Sequence, residues 1–126
     1  MTTLRKVGFF FEMPPSKRKE VLCAMCRATA DPEEPMIIAY LEAGCVYAGV
    51  PNVEEDIICD PPHIIGPTHI RTDKVWAWPE TLAYYVRRHH IALPDDFVDH
   101  MRGQGWVCQV NPDVSQLTLE GEVSMG

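Results

Sequence analysis

His69-Ile-Arg-Thr-Asp-Lys-Val-Trp-Ala-Trp-Pro-Glu-Thr-Leu-Ala-Tyr-Tyr-Val86 is the stretch on which the fold turns. Two runs of β-forming residues, His69–Arg71 and Lys74–Trp78, flank the polar pair Thr72-Asp73. That pattern predicts a hairpin, although Thr-Asp is a weaker turn dipeptide than Asn-Gly. Trp76 and Trp78 are two apart and so project from one face of their strand. Pro79 suits the first position of a helix running to about His89, because its missing N–H would have no helical partner there. Leu82, Tyr85, Val86 and His89 form the inward stripe of that helix, and Glu80, Arg87 and Arg88 the wet side. Trp78 and Tyr85 are expected in the core; Trp76 and Tyr84 can serve either core or surface.

Upstream, Leu4 to Glu12 reads as a strand stopped by Pro14-Pro15. Ser16 is placed to cap a helix over Lys17–Arg27, in which Val21, Leu22, Met25 and Cys26 share one apolar face. Asp31-Pro-Glu-Glu-Pro35 resets the chain, Met36 to Ala43 is helical, and Gly44 is a natural residue to follow the helix end. Cys45 to Val50 is a short strand, and Pro51 to Thr68 reads as loop. Downstream, Pro94 starts a helix with Asp95 and Asp96 in its first turn, where the positive end of the helix dipole favours them. Phe97, Val98 and Met101 face inward, Gly103 or Gly105 ends the helix, and Trp106–Val110 and Gln116–Leu119 read as two last strands. Strands and helices mix without regular βαβ alternation. The expected fold is therefore α+β: one domain over residues 1–126, a mixed or antiparallel sheet and about four short helices.

With 126 residues and 46% hydrophobic content, the chain has enough apolar surface to offset the entropy of folding. The first thirty residues hold six basic side chains against Glu12 and Glu20, whereas the remainder holds five basic and sixteen acidic. A body of that sign disfavours DNA or RNA, whose phosphates need Lys and Arg to neutralise them. It would attract a basic protein and speed its association. Glu54-Glu55-Asp56 and the Asp95, Asp96, Asp99 group are the candidate contact points, each also readable as ordinary solvated acid. The opening residues lack a signal-peptide pattern, no run approaches the ~18 apolar residues of a bilayer span, and the cysteine count is odd. These features predict a cytoplasmic protein with free thiols and no membrane association.

Cys23-Ala-Met-Cys26 is the most visible motif. Inside a helix rather than at its N-terminus it gains little from the dipole, so two packed thiols are favoured over a redox pair. A zinc site would draw on Cys23, Cys26, Cys59 and His63, but a second CxxC is missing and 33 residues separate Cys26 from Cys59. His89 and His90 are adjacent and point apart on a helix, and no His-Glu-x-x-His pattern occurs, so the histidines are expected to be solvated or hydrogen-bonded. Gly103-Gln-Gly105 lacks the strand-before-helix setting and third glycine of a dinucleotide fingerprint. No catalytic set, metal or cofactor is expected.

Tyr40-Leu-Glu-Ala-Gly44, Ile65-Gly66, Thr72-Asp-Lys-Val-Trp-Ala-Trp-Pro79, Leu82-Ala-Tyr-Tyr-Val86 and Leu93-Pro-Asp-Asp-Phe97 together resemble a class of small bacterial proteins, some of which look like immunity partners of secreted polymorphic toxins. The resemblance covers residues 40–106 and is strongest in the Trp-x-Trp-Pro to Leu-Pro-x-x-Phe block. It departs from that pattern at the turn, where Asp-Gly is expected and Asp73-Lys74 stands. The resemblance implies only that class and carries over no catalytic residue. Small size and an acidic body lacking a catalytic set, taken with it, lead to the expectation of a non-catalytic protein that binds and occludes a basic toxin domain. The expected contact surface is Glu54, Glu55, Asp56, Asp95, Asp96 and Asp99, with Trp76 as an aromatic anchor. The alternatives are a zinc- or thiol-dependent activity on the four residues named above, and a module that dimerises through its aromatic face.

Overall fold

In the computed structural model, which describes residues 2–29, 31–49, 52–58, 61–108 and 117–119, the chain runs β1 (Thr2–Lys6), α1 (Pro15–Met25), α2 (Glu34–Glu42), β2 (Cys45–Ala48), β3 (Val53–Asp56), β4 (His63–Pro67), β5 (Ile70–Thr72), β6 (Trp76–Pro79), α3 (Leu82–His89), α4 (Asp95–Gly103) and β7 (Leu117–Leu119). Five strands form a mixed sheet in the order β2-β5-β6-β1-β7, and β3 and β4 form a separate two-stranded sheet. β2, β5 and β6 are antiparallel neighbours, while β1 lies parallel to both β6 and β7. This is a small α+β domain with a mixed sheet. Among the described residues no helix is long and apolar enough to cross a membrane.

The expected β5–β6 hairpin forms, but its turn is displaced: Thr72 is in β5 opposite Ala77, and the connection is Asp73 to Val75 rather than Thr72-Asp73. Lys74 sits there at φ 82°, the left-handed region where the absent glycine would be at ease. Polar side chains hold it in place. Lys74 N–H donates to Thr72 Oγ1 at 3.1 Å, and Val75 and Trp76 N–H donate to Asp73 Oδ1 at 3.0 and 2.7 Å. Hydroxyl and carboxylate thus supply the turn hydrogen bonds that a better dipeptide would supply from the backbone.

The core lies between the main sheet and the helices. Trp76 and Trp78 meet Phe97 of α4 with ring centres 4.8 and 5.6 Å apart, and Trp78 Nε1 donates to Leu41 O of α2 at 3.0 Å. Leu22, Tyr40, Leu82, Tyr85, Val86, Ile91 and Met101 complete the cluster. Each such apolar side chain contributes about 1.5–3 kcal/mol by burial. Ala77, between the tryptophans, faces the other way onto a thinner cluster with Leu4 and Ile70.

Several expectations are corrected. The first strand ends at Lys6, not Glu12: Gly8 takes φ +76° where an added Cβ would stand 2.6 Å from Leu82, and Phe10–Glu12 is a turn of 3-10 helix. Ser16 does not cap α1, which begins with Pro15 in its first turn. Pro79 closes β6 rather than opening α3, which starts at Leu82. Gly44 does follow the end of α2, as expected, but it is required for space rather than for a left-handed turn: a Cβ there would meet the Trp78 ring at 2.6 Å. The stretch read as loop contains the β3–β4 hairpin. Trp106 to Cys108 is not a strand, residues 109 and 110 lie outside the described residues, and Leu117–Leu119 is the expected last strand.

Candidate functional site

Carboxylates decide where a site can be, and the structure divides them into two populations. Glu34, Glu54, Asp56 and Asp73 are buried. Alternation along β3 turns Glu54 and Asp56 inward and Val53 and Glu55 outward. The inward pair meets the face of α3 that carries Thr81, Tyr84, Tyr85 and His89. Glu54 accepts hydrogen bonds from Thr81 Oγ1 at 2.7 Å and from Tyr85 Oη. Asp56 Oδ2 accepts from Tyr84 Oη at 2.7 Å and lies 2.6 Å from His89 Nε2. The β3–β4 hairpin is thus joined to α3 by polar groups on both sides.

Two further histidine–carboxylate pairs bind helices to the rest. His100 Nε2 of α4 lies 2.8 Å from Asp73 Oδ2, the oxygen that also accepts from Tyr40 Oη. His90 takes a left-handed backbone (φ 53°, ψ 43°) at the end of α3, and its Nδ1 stands 2.9 and 3.0 Å from the two oxygens of Glu34. Burial raises the Glu54 carboxyl above its ordinary value, with the Tyr85 and Thr81 hydrogen bonds opposing. Burial and then the neighbouring carboxylate also raise the Tyr85 and Tyr40 phenols, which therefore stay protonated as donors. Among the described residues every buried side-chain nitrogen and oxygen has a hydrogen-bond partner. These acids are spent on structure.

The expected contact surface is corrected accordingly. Glu54 and Asp56 are interior. Trp76 is 4% exposed, stacked on Phe97 and covered by the Arg5 guanidinium 4.1 Å from its ring centre, so it offers no anchor to a partner. Glu55 is exposed on β3 and is not among the residues lining the cleft that holds Asp95 and Asp99. Asp95, Asp96 and Asp99 are exposed on α4 as expected. Four buried acids also change the charge balance. Outside the core, the described residues carry ten carboxylates against eleven basic side chains, so any acidic surface among them is local.

Such a surface exists between α2 and α4. A cleft of about 370 Å³ is bounded by Arg27, Asp31, Glu33, Asp95, Asp99 and Arg102 over a floor of apolar side chains. Arg102 is shared: it donates to Glu33 Oε1 and Oε2 at 2.5 and 3.1 Å and to Asp99 Oδ1 at 2.7 Å. These hydrogen bonds raise its already high pKa, so its charge is permanent. Arg27 lies 3.6 Å from Asp31, and Arg5, outside the cleft, pairs with Asp96 at 2.7 Å. Asp95 has no ion pair or side-chain hydrogen bond among the described residues. Four carboxylates thus face two guanidinium groups around one opening. A second cleft, about 350 Å³, lies between α2, α3 and β4, where Arg71–Glu80 and Arg87–Glu42 are each paired at 2.8 Å and the charge balances.

The cysteine alternative meets the structure only in part. Cys23 is exposed on α1, Cys26 follows its last turn and donates to Leu22 O at 3.1 Å, His63 is exposed on β4, and Cys59 lies outside the described residues. Burial first, then the nearby Cys23, raises the Cys26 thiol, which disfavours the thiolate needed for metal or redox work. Among the described residues no three His, Cys, Asp or Glu side chains are grouped to hold a metal ion.

The interior clamp was partly visible in advance. Thr81, Tyr85 and His89 repeat every four residues along one helix face, and Glu54 and Asp56 alternate along a strand. Polar residues at both inward periods are the signal, and only the reading of 51–68 as loop concealed it. No protein-family model, no curated protein and no solved structure matches this chain.

Proposed function

We propose that this is a non-catalytic, immunity-type protein of the bacterial cytoplasm that binds a basic toxin domain and occludes it. The observation carrying the reading is the uncompensated negative charge at the α2–α4 cleft, where Asp95 has no ion pair among the described residues while the interior carboxylates are occupied. Exposed acid concentrated at one opening orients a cationic partner and raises its encounter rate. Steric cover of the partner's active site then needs no chemistry from this chain. The contact surface of the proposal is Asp95 and Asp99 with Asp31 and Glu33; Glu54, Asp56 and Trp76 are not part of it.

The test is recovery of the tagged protein from its own cells at low and at high salt. A basic partner in equal amount, lost as salt rises, toxic when expressed alone and harmless when co-expressed, is the expected result. A co-expressed partner that stays toxic would overturn the reading.

A further inference from the structure

We infer that the α2–α4 cleft receives a single apolar side chain of a basic protein partner, one flanked in the partner's sequence by lysine or arginine. The inference deepens the binding reading above and rests on it for the class of partner. Ile37 of α2 and Ile91 are buried beneath the opening, and Leu93, ahead of α4, and Val98, within it, are half-buried along it, so the floor is apolar. At about 370 Å³ the cleft is near the lower end of the ~300–1,000 Å³ usual for ligand sites, a size suited to a side chain rather than a polymer. An apolar seat inside a charged rim is the arrangement that concentrates binding energy at protein interfaces, because the rim excludes water from the buried contact.

The rim selects the flanking charge. Both of its cations are already engaged: Arg102 is held by Glu33 and Asp99, and Arg27 donates to His90 O at 3.0 Å and lies beside Asp31. An acidic ligand would meet a rim in which four carboxylates outnumber those two cations. A cationic one finds Asp95 without a partner, together with outward lone pairs on carboxylates that already share one guanidinium. A neutral apolar ligand would gain the floor alone. Only the combination of apolar side chain and adjacent cation satisfies both layers.

The test uses three blocked tripeptides, acetyl-Lys-Leu-Lys-amide, acetyl-Lys-Ala-Lys-amide and acetyl-Glu-Leu-Glu-amide, titrated into the isotopically labelled full chain and followed by NMR. Lys-Leu-Lys is expected to shift the resonances of Ile37, Ile91, Leu93 and Val98 saturably, at least threefold more tightly than Lys-Ala-Lys. Glu-Leu-Glu is expected to leave them in place. Val98→Gln, on a half-buried helix position that tolerates a polar side chain, should weaken Lys-Leu-Lys at least threefold while shifts elsewhere in the spectrum stay unchanged. Asp95→Asn should do the same without altering the apolar floor. Equal binding of all three peptides, or shifts confined to another face, overturns the inference. Neutralisation of the partner separates the two levels: a Val98→Gln protein that protects as well as wild type sinks the cleft and leaves the immunity reading standing. Wild type that protects against nothing, yet shows the saturable shifts, sinks the immunity reading and keeps the cleft.

Discussion

His100 Nε2 approaches Asp73 Oδ2 at 2.8 Å, so a helix and the hairpin turn it covers are joined through one buried carboxylate. The same side chain receives Val75 and Trp76 N–H on its other oxygen and Tyr40 Oη beside the histidine. Asp73→Ala would orphan the turn amides and both side-chain donors at once. It is expected to cost about 3 kcal/mol, the range for breaking a buried charged partner. Urea unfolding followed by tryptophan fluorescence measures it, and a loss below about 1 kcal/mol would show that water replaces the carboxylate freely.

Lys74 stands one residue on, with a positive φ that glycine adopts at no steric cost. Lys74→Gly is therefore expected to raise stability by about 0.5–1 kcal/mol, net of the entropy glycine adds to the unfolded chain. An unchanged or lower unfolding midpoint would mean that the Thr72 and Asp73 hydrogen bonds already remove the strain.

Gly44 has the opposite expectation. A methyl group there would stand 2.6 Å from the fully buried ring of Trp78 and 3.1 Å from the Arg71 side chain. Gly44→Ala should destabilise by roughly 1–3 kcal/mol, because the ring cannot withdraw without disturbing Phe97 and Tyr40. Tryptophan fluorescence should also shift to the red as water reaches the indole.

Glu54 gives a pH dependence of known sign. Burial raises its folded-state value above the ordinary 4.5, so between the two values the folded protein holds more protons than the unfolded chain. Its contribution to stability consequently falls as pH rises from about 4.5 through the raised value, then levels off. Glu54→Gln removes that titration, keeps an acceptor oxygen for one of the two hydroxyls and offers its amide N–H to the other. The stability of Glu54→Gln minus that of wild type should climb over the same interval, and a difference independent of pH would contradict the burial argument.

What the sequence disclosed follows the strength of each local signal. The α+β class, the β5–β6 hairpin, the start of α4 at Pro94 and the core placement of Trp78 and Tyr85 rest on apolar periodicity and proline geometry, and the structure has them. The β3–β4 hairpin escaped because Val-Glu-Glu-Asp puts its buried face in carboxylates. An acidic alternation reads as solvated until a set of donors is known to lie opposite. Trp76 was legible only as aromatic; its cover, Arg5 and Phe97, comes from elements 71 and 21 residues away. For the candidate site, exposure of Asp95, Asp96 and Asp99 was readable from their place in the first turns of α4. The cleft was not, since its other wall comes from residues 27–37 and their approach depends on the whole core.

Strand β1 sits between β6 and β7, with Arg5 opposite Trp76 and Thr2 opposite Leu117. Both of its hydrogen-bonding partners therefore leave the ribosome well after it does. Until then the strand has a backbone ladder and no neighbour to share it with, and pairing must close loops of about seventy and over a hundred residues. Such long-range closure makes the sheet slow to assemble and exposes a templating edge on the nascent chain. The chain's tolerance of crowded synthesis thus hangs on a strand of five residues that waits for its mates.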